Sequence, residues 1–164
     1  MDDAPNVLDM SSELPSTFVH ERFSNVRLPD GSLEYGPDYS EIEVFRNREP
    51  LQVISAILRI VDDKLEQASF EAEMWGRGRI ESAVVSSIPS GATVEVTYPD
   101  VGDSAILASA TAVVGDSCYK SDLLRFKYGK VYILISSYAE GEGSAPIIPV
   151  ADGVEKRLKA YLCD

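Results

Sequence analysis

The sequence is poor in the residues that most often carry enzyme chemistry. It has one histidine, His20, and two cysteines, Cys118 and Cys163. These are too few ligands for a zinc site, and no Cys-x-x-Cys redox motif occurs. His20 lies in a polar segment and reads as a surface residue, without the Gly-x-Ser-x-Gly elbow that accompanies a hydrolase triad. We therefore predict no catalytic residue, no metal and no cofactor.

Positive charge is also scarce. The chain has 27 acidic and 15 basic residues, which gives a net charge of −12. A field of that sign repels phosphate backbones and anionic membrane surfaces, so a nucleic-acid partner is disfavoured. The charge does not identify a partner, which we expect to be a protein or a small molecule.

Long apolar runs are missing as well. No segment reaches the roughly 18 apolar residues of a membrane helix, and the start of the chain lacks the basic and apolar parts of a signal peptide. Two histories fit this pattern: a cytosolic protein, or a chain that begins after a removed leader or anchor. Residues 1–17 are polar and acidic, which favours the second history, with these residues as a flexible arm that tethers the protein. Residues 18–164 are enough for a single domain with its own core.

The first half of that domain shows both helical and strand periodicity. Ile42 and Val44 alternate with two glutamates, which predicts a half-buried strand over 40–45. Apolar residues at helical spacing then predict an amphipathic helix from about Pro50 to Gln67, with a further run towards Trp75. Residues 80–87 are typical of a strand.

The second half is dominated by strand patterns. Alternation over 92–98 and a small apolar run over 105–114 predict two strands. Residues 123–127 and 131–136 flank Gly129, which predicts an antiparallel hairpin whose second strand lies centrally in the sheet because both its faces are apolar. Apolar residues every four positions predict a terminal helix over 150–162. We expect an α+β domain, with a curved, mainly antiparallel sheet and two amphipathic helices packed on it.

The two cysteines leave two alternatives. A Cys118–Cys163 disulfide would tie the terminal helix to the loop before the hairpin and would favour an oxidising compartment. Otherwise both are buried thiols. We predict the disulfide.

One cluster of residues could bind a ligand. Trp75, Arg77 and Arg79 stand close together in the sequence, and arginine beside an aromatic ring can grip a carboxylate or a planar group. The simpler explanation is a helix end with Trp75 in the core and the arginines balancing nearby glutamates. Asp100, Asp103 and Asp116 lie in loops and could bind calcium through their oxygen atoms, yet aspartates are also common in ordinary turns.

The stretch from Tyr98 to Leu162 resembles small extracytoplasmic lipoproteins and sensor-type modules of bacteria and archaea. The resemblance rests on Tyr-Pro-Asp-Val-Gly-Asp-Ser-Ala, then Leu-Leu-Arg-Phe-Lys-Tyr-Gly-Lys-Val-Tyr-Ile-Leu-Ile-Ser, then the terminal helix. It implies an extracytoplasmic α/β sandwich and no catalytic residue. The lipobox cysteine of lipoproteins is not seen near the start of this chain.

The hypothesis that combines these observations is a non-enzymatic, extracytoplasmic binding or protein-interaction module of unknown ligand. One alternative is an intracellular structural or regulatory domain that binds a protein. Another is a hydrolase that uses a carboxylate pair, which requires a pocket lined by two acids.

Overall fold

A computed structural model describes residues 7–23, 39–61, 64–141 and 143–163. Over these residues the chain forms seven strands and three helices. The strands are β1 (Val19–Phe23), β2 (Tyr39–Arg48), β3 (Leu51–Ile60), β4 (Thr93–Thr97), β5 (Ser104–Val114), β6 (Ser117–Tyr128) and β7 (Val131–Glu140), and the helices are α1 (Lys64–Met74), α2 (Arg77–Val85) and α3 (Ile147–Cys163). None of these helices is long and apolar enough to cross a membrane.

The strands form one antiparallel sheet in the order β1-β2-β3-β7-β6-β5-β4. This confirms the predicted α+β class. The predicted hairpin is β6–β7, with Tyr128 paired to Val131 across the turn. β7 lies at the centre of the sheet, between β3 and β6, as its two apolar faces indicated.

Each face of the sheet is covered by different elements. On one face α3 packs through Val150, Val154 and Leu158 onto buried residues of β3, β6 and β7. On the opposite face α2 packs through Ile80 and Val84 onto β5 and β6, in a second apolar cluster. α1 lies on that same side, where Met74 joins Tyr132 and Val61 in a third cluster.

The predicted helix from Pro50 to Gln67 is wrong over most of its length. Residues 51–60 form β3, whose buried residues Ile54, Ala56 and Leu58 recur every second position. The opposite side of β3 is also partly buried, so apolar residues occupy both faces and the period of two is hidden. Helix begins only at Lys64 and ends at Met74, close to the expected limit near Trp75.

The predicted strand over 80–87 is also wrong, because most of these residues form a helix. α2 covers Arg77–Val85, and its buried residues Ile80 and Val84 are four positions apart, as on one helical stripe. Packing of this stripe against the sheet outweighs the modest helix propensity of the adjacent residues Val84 and Val85. Gly76 is the residue immediately before the helix.

The N-terminal segment does not form a free arm over its described part. Val7, Leu8, Met10 and Leu14 are buried in the same core cluster as α3. Arg157 of α3 holds the segment through hydrogen bonds to both carboxylate oxygens of Glu13, at 2.8 and 3.2 Å, and to the carbonyl of Val7 at 3.1 Å. Residues 7–14 are therefore part of the domain. Residues 1–6 lie outside the described residues.

The strand predicted over 40–45 is present in β2, but Glu43 does not face solvent. It is fully buried, on the same side of the strand as Phe45. Its carboxylate is hydrogen-bonded to the Nε2 atom of His20 in β1. The His20 ring stacks on Phe45 with 4.5 Å between ring centroids. The His20 ring thus covers Phe45 while its side chain stays 39% exposed, which agrees with the surface position that its polar sequence context indicated.

The structure does not support the predicted disulfide. Cys118 is a free thiol at the start of β6. The C-terminal half of α3 lies beside the other end of that strand, where the Lys159 ammonium stands 5.6 Å from the Tyr128 ring centre. The ten residue steps from Cys118 to Tyr128 span about 33 Å of strand. Cys163 is one helical turn beyond Lys159, so the backbones of the two cysteines are too far apart for a bond.

Candidate ligand-binding cavity

A cavity of about 440 Å³ lies between the sheet and the helices α1 and α2. That volume falls within the usual range for small-molecule sites. The sheet side of the cavity is formed by neighbouring strands. Arg59 of β3 is paired with Tyr132 of β7, and Leu134 of β7 is paired with Arg125 of β6. The described lining residues are Ile57, Arg59, Phe70, Glu73, Met74, Gly78, Arg79, Ser82, Arg125, Tyr132, Ile133 and Leu134.

A three-residue network anchors α1 beside the cavity. The Glu71 carboxylate accepts hydrogen bonds from Lys127 Nζ at 2.7 Å and from the Tyr132 hydroxyl at 2.8 Å. These bonds lower the pKa of Glu71, and the bond to Glu71 raises the pKa of Lys127. Burial raises the pKa of Tyr132, and the bond to Glu71 adds to that rise. The network keeps α1 at a fixed distance from β6 and β7.

Arg125 fixes the C-terminal end of α1. Its Nη1 atom donates to the carbonyl oxygens of Glu73 and Met74, at 3.2 and 2.9 Å. The last carbonyls of a helix lack partners within the helix and carry partial negative charge, so a guanidinium there is favourable. Arg125 thereby connects the floor of the cavity to its helical wall.

Arg59 lies against an aromatic wall. Its guanidinium carbon is 4.3 Å from the centre of the Phe70 ring, which is a cation–π distance. Phe70 in turn meets Tyr132 edge to face, with 5.0 Å between ring centroids. Arg59 also pairs with Glu66 at 2.7 Å. These contacts place a positive charge and two aromatic rings together in the cavity.

Arg79 and Glu73 form the mouth of the cavity. Their side chains are 67% and 62% exposed, and the closest nitrogen–oxygen distance is 3.5 Å. An exposed pair of this length contributes little to stability. The two side chains can therefore separate at low cost, which leaves Arg79 able to accept another anionic partner.

The structure separates the three residues that the sequence placed in one ligand site. Of Trp75, Arg77 and Arg79, only Arg79 lines this cavity. Trp75 packs between the second and third apolar clusters and borders a shallow groove with Tyr98. Arg77 points to solvent and pairs with Glu81, one turn further along α2, at 2.8 Å. The simpler explanation of Trp75 as a core residue is thus closer to what is seen.

Sequence reasoning missed Arg59 and Arg125, the two other cavity arginines. Both lie within strands, in segments where apolar neighbours dominate the pattern. The available signal was a charged residue inside a strand with both faces apolar, because such a charge requires a partner or a polar cavity. For Arg59 that signal was hidden by its assignment to a helix.

Metal-ligating side chains do not cluster over the described part of the chain. The structure shows there no group of three or more His, Cys, Asp or Glu side chains that could hold a metal ion. Asp103 accepts a hydrogen bond from the Gly129 backbone N–H at 2.7 Å, at the tip of the β6–β7 hairpin.

Comparison with known proteins does not assign a function. No protein-family model matches the sequence, and no curated protein matches it significantly. The functional argument therefore depends on the cavity and its residues.

Proposed function

We infer that the protein is a non-enzymatic binding module that holds a small organic molecule in the cavity between α1, α2 and the sheet. The observation that carries this proposal is the cavity of about 440 Å³ with a mixed lining of apolar, aromatic and arginine side chains. Binding sites for small molecules combine such an apolar wall with a few charged or polar groups that orient the ligand.

Binding is favoured over hydrolysis by the charges in the cavity. A carboxylate-based hydrolase needs two acidic groups that face the substrate. The described lining of this cavity contains one acid, Glu73, against three arginines. Arginine stays protonated and serves to hold an anion, so this lining suits recognition better than acid–base chemistry.

The extracytoplasmic location belongs to the same proposal and rests on the resemblance over Tyr98–Leu162. Cys118 is a free thiol, so a disulfide no longer supports that location. Fractionation of the native host, followed by protease treatment of intact cells, tests it. Protein that is accessible to the protease supports an extracytoplasmic module, whereas protein in the cytosolic fraction favours the intracellular alternative.

Gly78 offers a direct test of the cavity. It lines the cavity on α2 together with Ser82, one helical turn away, and a Cβ atom there would meet nothing within 4 Å. A Gly78→Phe side chain therefore starts from the lining of the cavity without a clash at its Cβ atom. Gly78→Ala is the matched control, because it changes the helix propensity in the same direction while adding only a methyl group.

The probe is anilinonaphthalene sulfonate, an aromatic anion whose fluorescence rises in apolar sites. We expect saturable binding to the folded protein and to Gly78→Ala, with at least about tenfold weaker binding to Gly78→Phe. Circular dichroism confirms that both variants are folded. Equal binding to Gly78→Phe and to the unaltered protein would place the probe elsewhere and remove the support for this site.

A further inference from the structure

The cavity concentrates positive charge in a strongly acidic protein. The whole chain carries a net charge of −12 with 15 basic residues among 164. Among the twelve described lining residues of the cavity, three are arginines and one is an acid. Because Glu66 pairs with Arg59 beside the lining, three arginines face two acids here. The remaining excess of one positive charge is opposite in sign to the surrounding protein, so it favours an anion as the occupant.

Two of the arginines are held rigidly before any ligand arrives. Arg59 is stacked on Phe70, and Arg125 is bonded to the end of α1. A guanidinium has five N–H donors in a planar fork, so it can keep a structural partner and still hydrogen-bond a ligand. Fixed donors lower the entropy lost on binding, which is how preorganised sites gain affinity.

The third arginine already holds a carboxylate at the mouth. Arg79 pairs loosely with Glu73 at 3.5 Å, and both side chains are largely exposed. A ligand carboxylate has the same chemistry as the Glu73 side chain and can replace it. A dianion such as a phosphate monoester is less suited, because the net charge of −12 repels a second negative charge more strongly.

The remainder of the cavity is suited to the hydrocarbon part of a ligand. Ile57, Phe70, Met74 and Leu134 give it an apolar and aromatic lining. Phe70 and Tyr132 are arranged edge to face, and both rings contribute to the lining. Charge and apolar surface are thus present in one site.

We propose that the cavity binds a monocarboxylate with an aryl or alkyl body, and that the ligand carboxylate replaces Glu73 as the partner of Arg79. The body of the ligand packs against Phe70, Met74 and Leu134, and the acid lies nearer the mouth. This inference rests on the proposed function, since it assigns the chemical class of the ligand to the same cavity.

Three probes that share a phenylbutyl group and differ in the terminal group test the preference for a carboxylate. They are phenylbutyrate, phenylbutanol and phenylbutylamine. Calorimetric titration of the full chain should show the acid binding at least about tenfold more tightly than the alcohol, because a hydrogen bond to a charged group is worth roughly one to two decades in affinity. The amine should bind more weakly than the alcohol. Acid and alcohol of equal affinity would overturn the carboxylate assignment and leave the binding module intact.

Two substitutions at the mouth should act in opposite directions. Arg79→Gln should reduce the affinity for phenylbutyrate towards that for phenylbutanol. Glu73→Gln removes the competing carboxylate and should increase the affinity for the acid, while the backbone carbonyls that Arg125 uses are unchanged. Arg77→Gln is the matched control on the same helix, outside the cavity, and should leave both affinities unchanged.

The pattern of failure identifies which claim is at fault. If Glu73→Gln lowers the affinity for phenylbutyrate, the exchange of carboxylates at the mouth is refuted. The same holds if Arg77→Gln lowers that affinity as much as Arg79→Gln does. If neither the acid nor the alcohol binds, and anilinonaphthalene sulfonate is also insensitive to Gly78→Phe, the proposed function fails together with the inference.

Discussion

Leu8→Ala tests whether the N-terminal segment belongs to the folded domain. Leu8 is fully buried in the cluster beneath α3. The substitution removes about three carbon groups, each worth about 0.8 kcal/mol of burial, and leaves a cavity that adds to the loss. We therefore expect the free energy of unfolding to fall by about 3 kcal/mol. For a chain of this length that corresponds to a decrease in Tm of about 6–12 °C.

Leu65→Ala is the matched control, because it is the same substitution at a residue that is 83% exposed in α1. Its effect should stay within about 0.5 kcal/mol. Urea unfolding, followed by circular dichroism and by the fluorescence of the single tryptophan, measures both variants. If Leu8→Ala is as harmless as Leu65→Ala, the segment is not docked and the expectation of a flexible arm over 1–17 returns.

Three further predictions concern other parts of the fold. Burial acts to raise the pKa of Glu13, but hydrogen bonds from Arg157 and Ser12 lower it overall. A lowered pKa stabilises the fold above the unfolded value of 4.5 and ceases to do so as pH falls through the folded value. When pH falls from about 7 to about 3, the free energy of unfolding of Arg157→Gln should therefore decrease less than that of the unaltered protein. Urea unfolding at both pH values measures the two decreases, and equal decreases would contradict this prediction. Gly102→Ala should lower the free energy of unfolding by about 1–3 kcal/mol more than Gly91→Ala does. Both glycines have positive φ, but only at Gly102 would a Cβ atom clash with the Lys127 carbonyl oxygen. Alkylation of the denatured protein without reduction should label Cys118, and intact mass measures the labelling. Labelling that occurs only after reduction would contradict the free thiol and support the disulfide.

Strong local signals were enough for part of the fold. The β6–β7 hairpin was predictable because a glycine at its tip separates two apolar strands, and Gly129 has the positive φ that such a turn requires. The terminal helix was predictable because Val150, Val154 and Leu158 lie four residues apart and form one stripe. Both elements follow from residues that are close in sequence.

Other elements could not be read from local patterns. β3 is covered on both faces, so its residues match a helical template as well as a strand. Glu43 has the alternation of a solvent-facing residue, yet it is buried, and only the pairing of β1 with β2 brings the partly exposed His20 to its carboxylate. The strand predicted over 80–87 is a helix for a different reason, because Ile80 and Val84 form one buried stripe against the sheet.

The sequence by itself determined the α+β class, the central hairpin, the terminal helix and the acidic character of the protein. Each depends on composition or on short-range periodicity. The cavity was decided by tertiary structure alone, because Arg59, Arg79 and Arg125 come from β3, α2 and β6. Strand register and the packing of two helices bring them together, and long-range pairing of that kind is not contained in the spacing of residues along the chain.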